Sequence, residues 1–307
     1  MTENYETDFN QEKLPRMVFY WIMYCLSFLI LGTMISGDCW AEDFIIAIDI
    51  GHTINIPGAT SARGVPEYQF NRNIGALLHQ QLLQDMRFKR SFIINETGDD
   101  ISLSARAAVA NRQGAHLLVS LHHDSVQPKD LSQWLCQGRL MPYCDKFTGY
   151  SIFYSEKNGN PLNSLIFAVI LGSEMLQARF CPTLHHAEKF TGGDKDLIDK
   201  TRGIYKYNNL VVLKEANMPA VLFECGIIKN RNEELQLGNI QYQQKLVTAL
   251  LNAIKRYFSQ PNIIGGLQEH SFPLSAANFR GFPESCLTMP KAGCASLSRP
   301  TVLSVTP

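Results

Sequence analysis

Phe44-Ile45-Ile46-Ala47-Ile48-Asp49-Ile50-Gly51-His52 is the stretch that decides how this chain folds. Its apolar run reads as a buried β-strand, and a glycine and a histidine follow directly at the carboxyl end. Two other fragments repeat the arrangement: Leu117-Leu118-Val119-Ser120-Leu121-His122 and Ala220-Val221-Leu222-Phe223-Glu224. In open α/β sheets, ligands and catalytic groups collect at the carboxyl ends of strands. His52, His122 and Glu224 can therefore converge although they are far apart in sequence. A fourth candidate, Glu67, lies fifteen residues after His52 at the start of a helical pattern. Two histidines and a glutamate are a standard ligand set for a catalytic zinc that keeps one position open. The remaining glutamate is then free to act as a base.

Outward from that stretch, strands and helices alternate. Gly51 to Pro66 is a loop rich in Gly, Pro, Ser and Thr, and Phe70, Ile74, Leu77, Leu78 and Leu82 then fall at helical spacing. A short strand is expected at Phe92 to Asn95. A helix follows through Arg106 to Arg112, capped by Ser102 or Ser104 and ended by Gly114. Gln127 to Thr148 reads as a loop, Ser151 to Tyr154 as a strand, and Pro161 to Ala178 as an apolar helix. Arg179 to Tyr207 reads as irregular. Two strands, Leu210 to Leu213 and Ala220 to Glu224, bracket a turn at Asn217-Met218-Pro219. Asn239 caps a final helix whose Leu246, Val247, Leu250, Leu251 and Ile254 form one face. This alternation predicts one α/β domain over residues 43–260, with a central mostly parallel or mixed sheet flanked by helices on both faces. After about Pro261 the periodicity is lost, and 261–307 reads as a flexible tail.

With 307 residues and 45% hydrophobic content, the chain can bury one sizeable core. Lys+Arg and Asp+Glu balance at 28 each, so no global charge argues for nucleic acid. Met17 to Ser36 is an uncharged apolar run preceded by Lys13 and Arg16 and followed by Ser36, Gly37 and Ala41. It reads as a secretory signal over residues 1–37, so the body of the protein is expected to be exported. The run is also long enough for one span of roughly 20 residues, so an uncleaved anchor is the alternative and the only membrane attachment expected. Of the eight cysteines, Cys136 and Cys144 flank a short loop and Cys286 and Cys294 repeat the spacing in the tail. In an oxidising compartment each pair is a disulfide candidate. Cys225 reads as a small buried hydrophobe.

Single histidines are ordinarily satisfied core or surface residues, and His79, His116, His185, His186 and His270 read that way. His52 differs because it leaves a buried strand directly after Asp49 and Gly51. Gly51 permits an unusual backbone angle, and Asp49 could orient the ring. Alternation sends His122 and His123 to opposite faces, so only one of them can point into a shared site. A carboxylate at a helix start, such as Glu67, also has an ordinary explanation in the helix dipole. Glu224 ends an apolar strand and needs a partner if it is buried. The spacing does not match HExxH, and there is no GxSxG or glycine-rich phosphate loop.

Eight elements in order carry a resemblance: Ile48-Asp49-Ile50-Gly51-His52, Pro57-Gly58-Ala59, Glu67-Tyr68-Gln69-Phe70-Asn71, Leu103-Ser104-Ala105-Arg106 with Ala110-Asn111, Ser120-Leu121-His122, Tyr150-Ser151-Ile152-Phe153-Tyr154, Val212-Leu213-Lys214, and Pro219-Ala220-Val221-Leu222-Phe223-Glu224 with Gly226 and Asn230. From about Phe44 to Phe258 the chain resembles the zinc-dependent N-acetylmuramoyl-L-alanine amidases of the Amidase_3 type. The resemblance implies that His52, Glu67 and His122 bind one zinc per chain and that Glu224 is the catalytic glutamate. It selects His122 over His123. The activity it implies is peptidoglycan hydrolysis in the periplasm or cell envelope, at the amide between N-acetylmuramic acid and L-alanine of the stem peptide. Its implied partners are the peptidoglycan itself and an activator of unknown identity. The chain departs from the family at Thr53-Ile54-Asn55, where a glycine-rich stretch is usual, and at His123 and Asp124, where a small residue and Asn are usual. The alternatives are another exported zinc amidohydrolase or peptidase, and an inactive wall-binding module. The latter is disfavoured because no ligand is missing from the set.

Overall fold

The computed structural model describes residues 43–187 and 195–260, together with Trp21. The chain divides after Glu42 into two units, and the sheet and helices belong to the one that begins at Asp43. The N-terminal apolar run, Cys286, Cys294, His270 and the tail lie outside the described residues.

The nine described strands are β1 (Ile46–Ile50), β2 (Phe92–Ile93), β3 (Leu117–Asp124), β4 (Ser132–Cys136), β5 (Arg139–Tyr143), β6 (Ser151–Tyr154), β7 (Lys195–Asp199), β8 (Ile204–Tyr207) and β9 (Ala220–Ile227). Seven form one sheet in the order β2-β1-β3-β9-β6-β8-β7, and β4 and β5 form a separate hairpin. β2, β1, β3 and β9 run parallel to one another, β6 runs antiparallel to β9 and parallel to β8, and β7 closes the edge antiparallel to β8. The sheet is therefore mixed, with a parallel half that carries β1, β3 and β9 side by side.

Strand alternation divides the core between two faces. Ile46, Ile48, Val119, Leu121, Val221 and Phe223 pack on one face against helices α1 (Glu67–Leu82), α3 (Pro161–Gln177) and α6 (Ile240–Phe258). Ala47, Leu118, Ala220 and Leu222 pack on the other, against α2 (Leu103–Arg112) and α4 (Val211–Lys214). Both faces are covered, which is why these strands read as continuous apolar runs. A short helix, α5 (Glu233–Leu237), precedes α6. Local signals set the helix ends: Ser102 accepts from Ala105 N, Asn239 accepts from Gln241 N and Tyr242 N, and Gly114 takes φ +62° just after α2.

Three expected segments differ. Leu210 to Leu213 is not a strand but the start of a single helical turn, with Lys214 N bonded to Leu210 O and Glu215 N to Val211 O. The sheet positions around β6 are already taken by β8 and β9, and the turn buries Val212 and Leu213 against the second face, so burial overrides β-propensity. Gln127 to Thr148 contains the β4–β5 hairpin, turned by Gln137 (φ +51°) and Gly138 (φ +76°). Positive φ at both central residues is the two-residue turn that matches strand twist. Arg179 to Tyr207 holds β8 and, at the edge of the sheet, the charged strand β7, an ordinary edge protection.

The expected Cys136–Cys144 disulfide is not formed, and both side chains are buried. Cys136 pairs with Arg139 at the turn, whereas Cys144 lies beyond Tyr143, which pairs with Ser132 at the open end. Five extended residues separate Cys144 from Arg139, about 17 Å at about 3.4 Å per residue, where a disulfide needs Cα atoms within about 7 Å. Cys181 is disulfide-bonded, and Cys225 is buried as a free thiol.

Candidate metal centre

β1 delivers His52 one residue past Gly51, and the two positions divide the conformational work differently from expectation. His52 itself takes the left-handed angle, φ +70°. Gly51 is needed for space, because a Cβ there would lie 2.3 Å from Cε1 of His122. Asp49 does not touch the His52 ring. Its Oδ1 accepts from Arg106 Nη1 at 2.6 Å and its Oδ2 from Ser120 Oγ at 2.6 Å, while Arg106 also donates to Ile50 O at 2.6 Å and His52 O at 2.7 Å. Asp49 thus fixes His52 through the Arg106 guanidinium, which holds the unusual backbone from behind. The pair is buried, with Asp49 at 1% and Arg106 at 2% exposure, and the two charges face one another, the guanidinium Nη atoms also meeting these carbonyls.

Glu67 is the first residue of α1 and is buried, with its carboxylate between the two rings. Oε2 lies 3.1 Å from His52 Nε2 and Oε1 lies 3.0 Å from His122 Nδ1. Ala59 N donates to Oε2 at 3.1 Å and Asn71 Nδ2 to Oε1 at 3.3 Å. Burial alone would raise this carboxyl, but hydrogen bonds and charge from His122 and His52 together outweigh it and hold it below the ordinary range. Potential ligand atoms of His52, Glu67 and His122 lie within 4.8 Å of one another. Strand alternation turns His123 the other way, where Nδ1 meets Asn71 Oδ1 at 2.7 Å and burial holds the ring down to about 3. The imidazole is therefore neutral and structural.

Glu224 completes the group. The parallel register of β3 and β9 sets it opposite His122. Its Oε2 is shielded from solvent and has no hydrogen-bond partner. Burial, and then the charges of Asp124 and Glu67, push this carboxyl well above its ordinary value. With Glu67 held ionised and Glu224 Oε2 left without a donor, this shielded cleft is short of positive charge. Two imidazole nitrogens and a carboxylate are the donor set that suits a divalent cation of the zinc type. Gly58 leaves room for it, since a Cβ there would come within 2.6 Å of Glu67 Oε2 and 2.7 Å of His52 Nε2. The residues fit a metal ion.

The four residues singled out in the sequence are thus brought together. The sequence pointed to neither Arg106 nor Asn71 as a support, although both stand in the quoted motifs. His79 and His116 are structural as expected: His79 Nε2 lies 2.9 Å from Ser91 O, and Ile45 N donates to His116 Nδ1 at 3.0 Å. His185 and His186, expected to be ordinary core or surface residues, both face Asp124.

Residues 46–256 match the family model Amidase_3, described as N-acetylmuramoyl-L-alanine amidase. A Haemophilus influenzae protein named "Probable N-acetylmuramoyl-L-alanine amidase AmiB" is 24% identical over 83% of this chain, which spans 63% of that protein's length. The N-acetylmuramoyl-L-alanine amidase AmiA of Salmonella typhimurium is 27% identical over 70% of this chain and 76% of its own. Among solved structures, the N-acetylmuramoyl-L-alanine amidase of Clostridium difficile 630 superposes with a TM-score of 0.56 at 24% identity, covering 72% of this chain and 99% of that one. Ami1 of Mycobacterium smegmatis gives the same TM-score of 0.56 at 20% identity and the same coverage, 72% and 99%. Those two structures speak for the fold, and the family match spans both the sheet and every residue of the His52, Glu67, His122 and Glu224 group. The chain belongs to the Amidase_3 family of N-acetylmuramoyl-L-alanine amidases, which are hydrolases.

Proposed function

We propose that this chain hydrolyses the amide between the lactyl carboxyl of N-acetylmuramic acid and the amino group of L-alanine in peptidoglycan, with one zinc held by His52, Glu67 and His122 and with Glu224 as general base and acid. The observation that carries the reading is the shielded, unpartnered Oε2 of Glu224 beside the converging His52, Glu67 and His122. Zinc held there would polarise the amide carbonyl and make water a stronger acid.

The protein's own groups supply the rest. Asp49 and Arg106 keep His52 in place, and Ala59 N and Asn71 fix the Glu67 carboxylate. Glu224 takes a proton from water as the oxygen attacks the carbonyl carbon. It then gives that proton to the departing nitrogen as the C–N bond breaks, leaving a lactyl carboxylate and a free L-alanine amine. Burial keeps Glu224 away from bulk water, so its proton exchanges with the reacting atoms. Since peptidoglycan lies outside the cytoplasm, the reading carries with it export to the periplasm or cell envelope.

Glu224→Gln keeps the shape of the side chain but cannot accept a proton. It should retain zinc while amidase activity falls by at least about a hundredfold, the scale of general acid–base catalysis. Near-normal turnover with zinc bound would place the base elsewhere. Loss of zinc with activity would make Glu224 a ligand.

A further inference from the structure

We propose that Asp124, His185 and His186 form a second divalent-cation site, separate from His52, Glu67 and His122 and independent of the amidase reading. Asp124 ends β3, two residues beyond His122, with an irregularity in the strand register between them. His185 and His186 come from a single helical turn, His185–Ala187, in the segment after α3. One potential ligand atom from each of the three residues lies within 4.8 Å of the others.

The individual atoms favour a cation over a satisfied polar cluster. Asp124 Oδ2 faces both rings, 2.6 Å from His186 Nε2 and 3.3 Å from His185 Nε2. Only the first contact is a hydrogen bond; His185 Nε2 is shielded from solvent and makes no geometrically sound hydrogen bond, although the Ser125 backbone also acts on this ring. His185 is 7% exposed, and its other nitrogen lies 3.0 Å from Thr183 Oγ1. If Nδ1–H donates to that hydroxyl, Nε2 is left with a free lone pair aimed at the carboxylate, the arrangement in which metal-binding imidazoles are held. Phe147 stands 5.3 Å from the His185 ring, and Phe153 and Tyr205 stand 5.1 and 5.5 Å from the His186 ring, which limits competition from water. Two imidazoles and one carboxylate suit a first-row ion such as zinc rather than calcium or magnesium, which prefer oxygen donors.

One contact opposes the ion. Lys195 Nζ lies 3.1 Å from His186 Nδ1, so an entering cation meets a like charge and an ammonium that must turn away. The second site is accordingly weaker than the first, and removing the lysine charge strengthens it.

The test is calorimetric titration of the metal-free protein with Zn²⁺ alone, with bound zinc counted after dialysis at each plateau. The wild type should show two classes of site, one tight and one weaker. His185→Gln/His186→Gln should lose the weaker class and keep the tight one, and Asp124→Asn should weaken it in the same way. Lys195→Met should tighten the weaker class several-fold. The variant His52→Ala/His122→Ala should do the reverse of the His185 and His186 variant, losing the tight class and keeping the weaker one, so the two sites fail or stand separately. A single class in the wild type would overturn the proposal. So would a weaker class unchanged in His185→Gln/His186→Gln protein that still binds the tight zinc.

Discussion

At the scale of single residues, the centre depends on atoms that are missing as much as on those present. Gly51 and Gly58 are the two places where a methyl group would strike the His122 ring or the Glu67 carboxylate. We expect Gly51→Ala to fold, since the glycine does not sit at positive φ, but to push the His122 ring out of line. The expected loss is about 10- to 100-fold in zinc affinity, the usual range for disturbing the supports of a ligand. Competition with a chelator of known affinity measures it, and unchanged zinc affinity would show that the ring has another position available. His52, His122 and Glu224 were legible in the sequence because each ends or follows an apolar run, whereas Glu67, at a helix start after a turn-rich loop, was singled out as a ligand only through the family resemblance. The role of Asp49 was not legible, because its partner Arg106 comes 57 residues later and the distance between them is set only when α2 packs on the sheet.

At the scale of elements, the parallel strands were legible and the irregular edges were not. β1, β3 and β9 are buried on both faces and so announce themselves as apolar runs. The β4–β5 hairpin carries the weaker signal of alternating half-exposed residues, and its turn opens on Gln137, an unusual residue for positive φ. The α4 turn failed as a strand for the opposite reason: Val211-Val212-Leu213 has the right composition and no free place in the sheet. Because the hairpin separates Cys136 from Cys144 at its two ends, both should be alkylated in denatured, non-reduced protein. A mass corresponding to their disulfide would contradict the register. Gly138→Val puts a β-branched side chain at φ +76° and should cost about 1–2 kcal/mol, read as an earlier midpoint in denaturant unfolding with an unchanged slope.

At the scale of the whole molecule, a buried carboxyl outside the metal centre, Glu233 of α5, makes stability depend on pH. It is 2% exposed, accepts from Gly149 N at 2.9 Å and Ile227 N at 3.1 Å, and burial still pushes its carboxyl up to about 7. A folded value above the ordinary 4.5 means that folding favours the protonated acid. That contribution is complete below about pH 4.5 and is lost as pH rises through about 7, a difference of about 3 kcal/mol at about 1.4 kcal/mol per unit. Relative to Glu233→Gln, the wild type should therefore lose about 3 kcal/mol of stability between pH 4.5 and 8. A constant gap between the two proteins across that range would show that Glu233 titrates normally.

The fold, the family and the convergence of four chemical residues all bear on one bond. Digestion of purified sacculi by the zinc-loaded protein, followed by mass spectrometry of the products, reads that bond directly. The expected products are intact glycan strands ending in free lactyl carboxyls, together with released stem peptides that begin with an L-alanine amine. Cleavage within the stem peptide or between sugars, or no release by protein shown to carry zinc at His52, Glu67 and His122, would contradict this expectation.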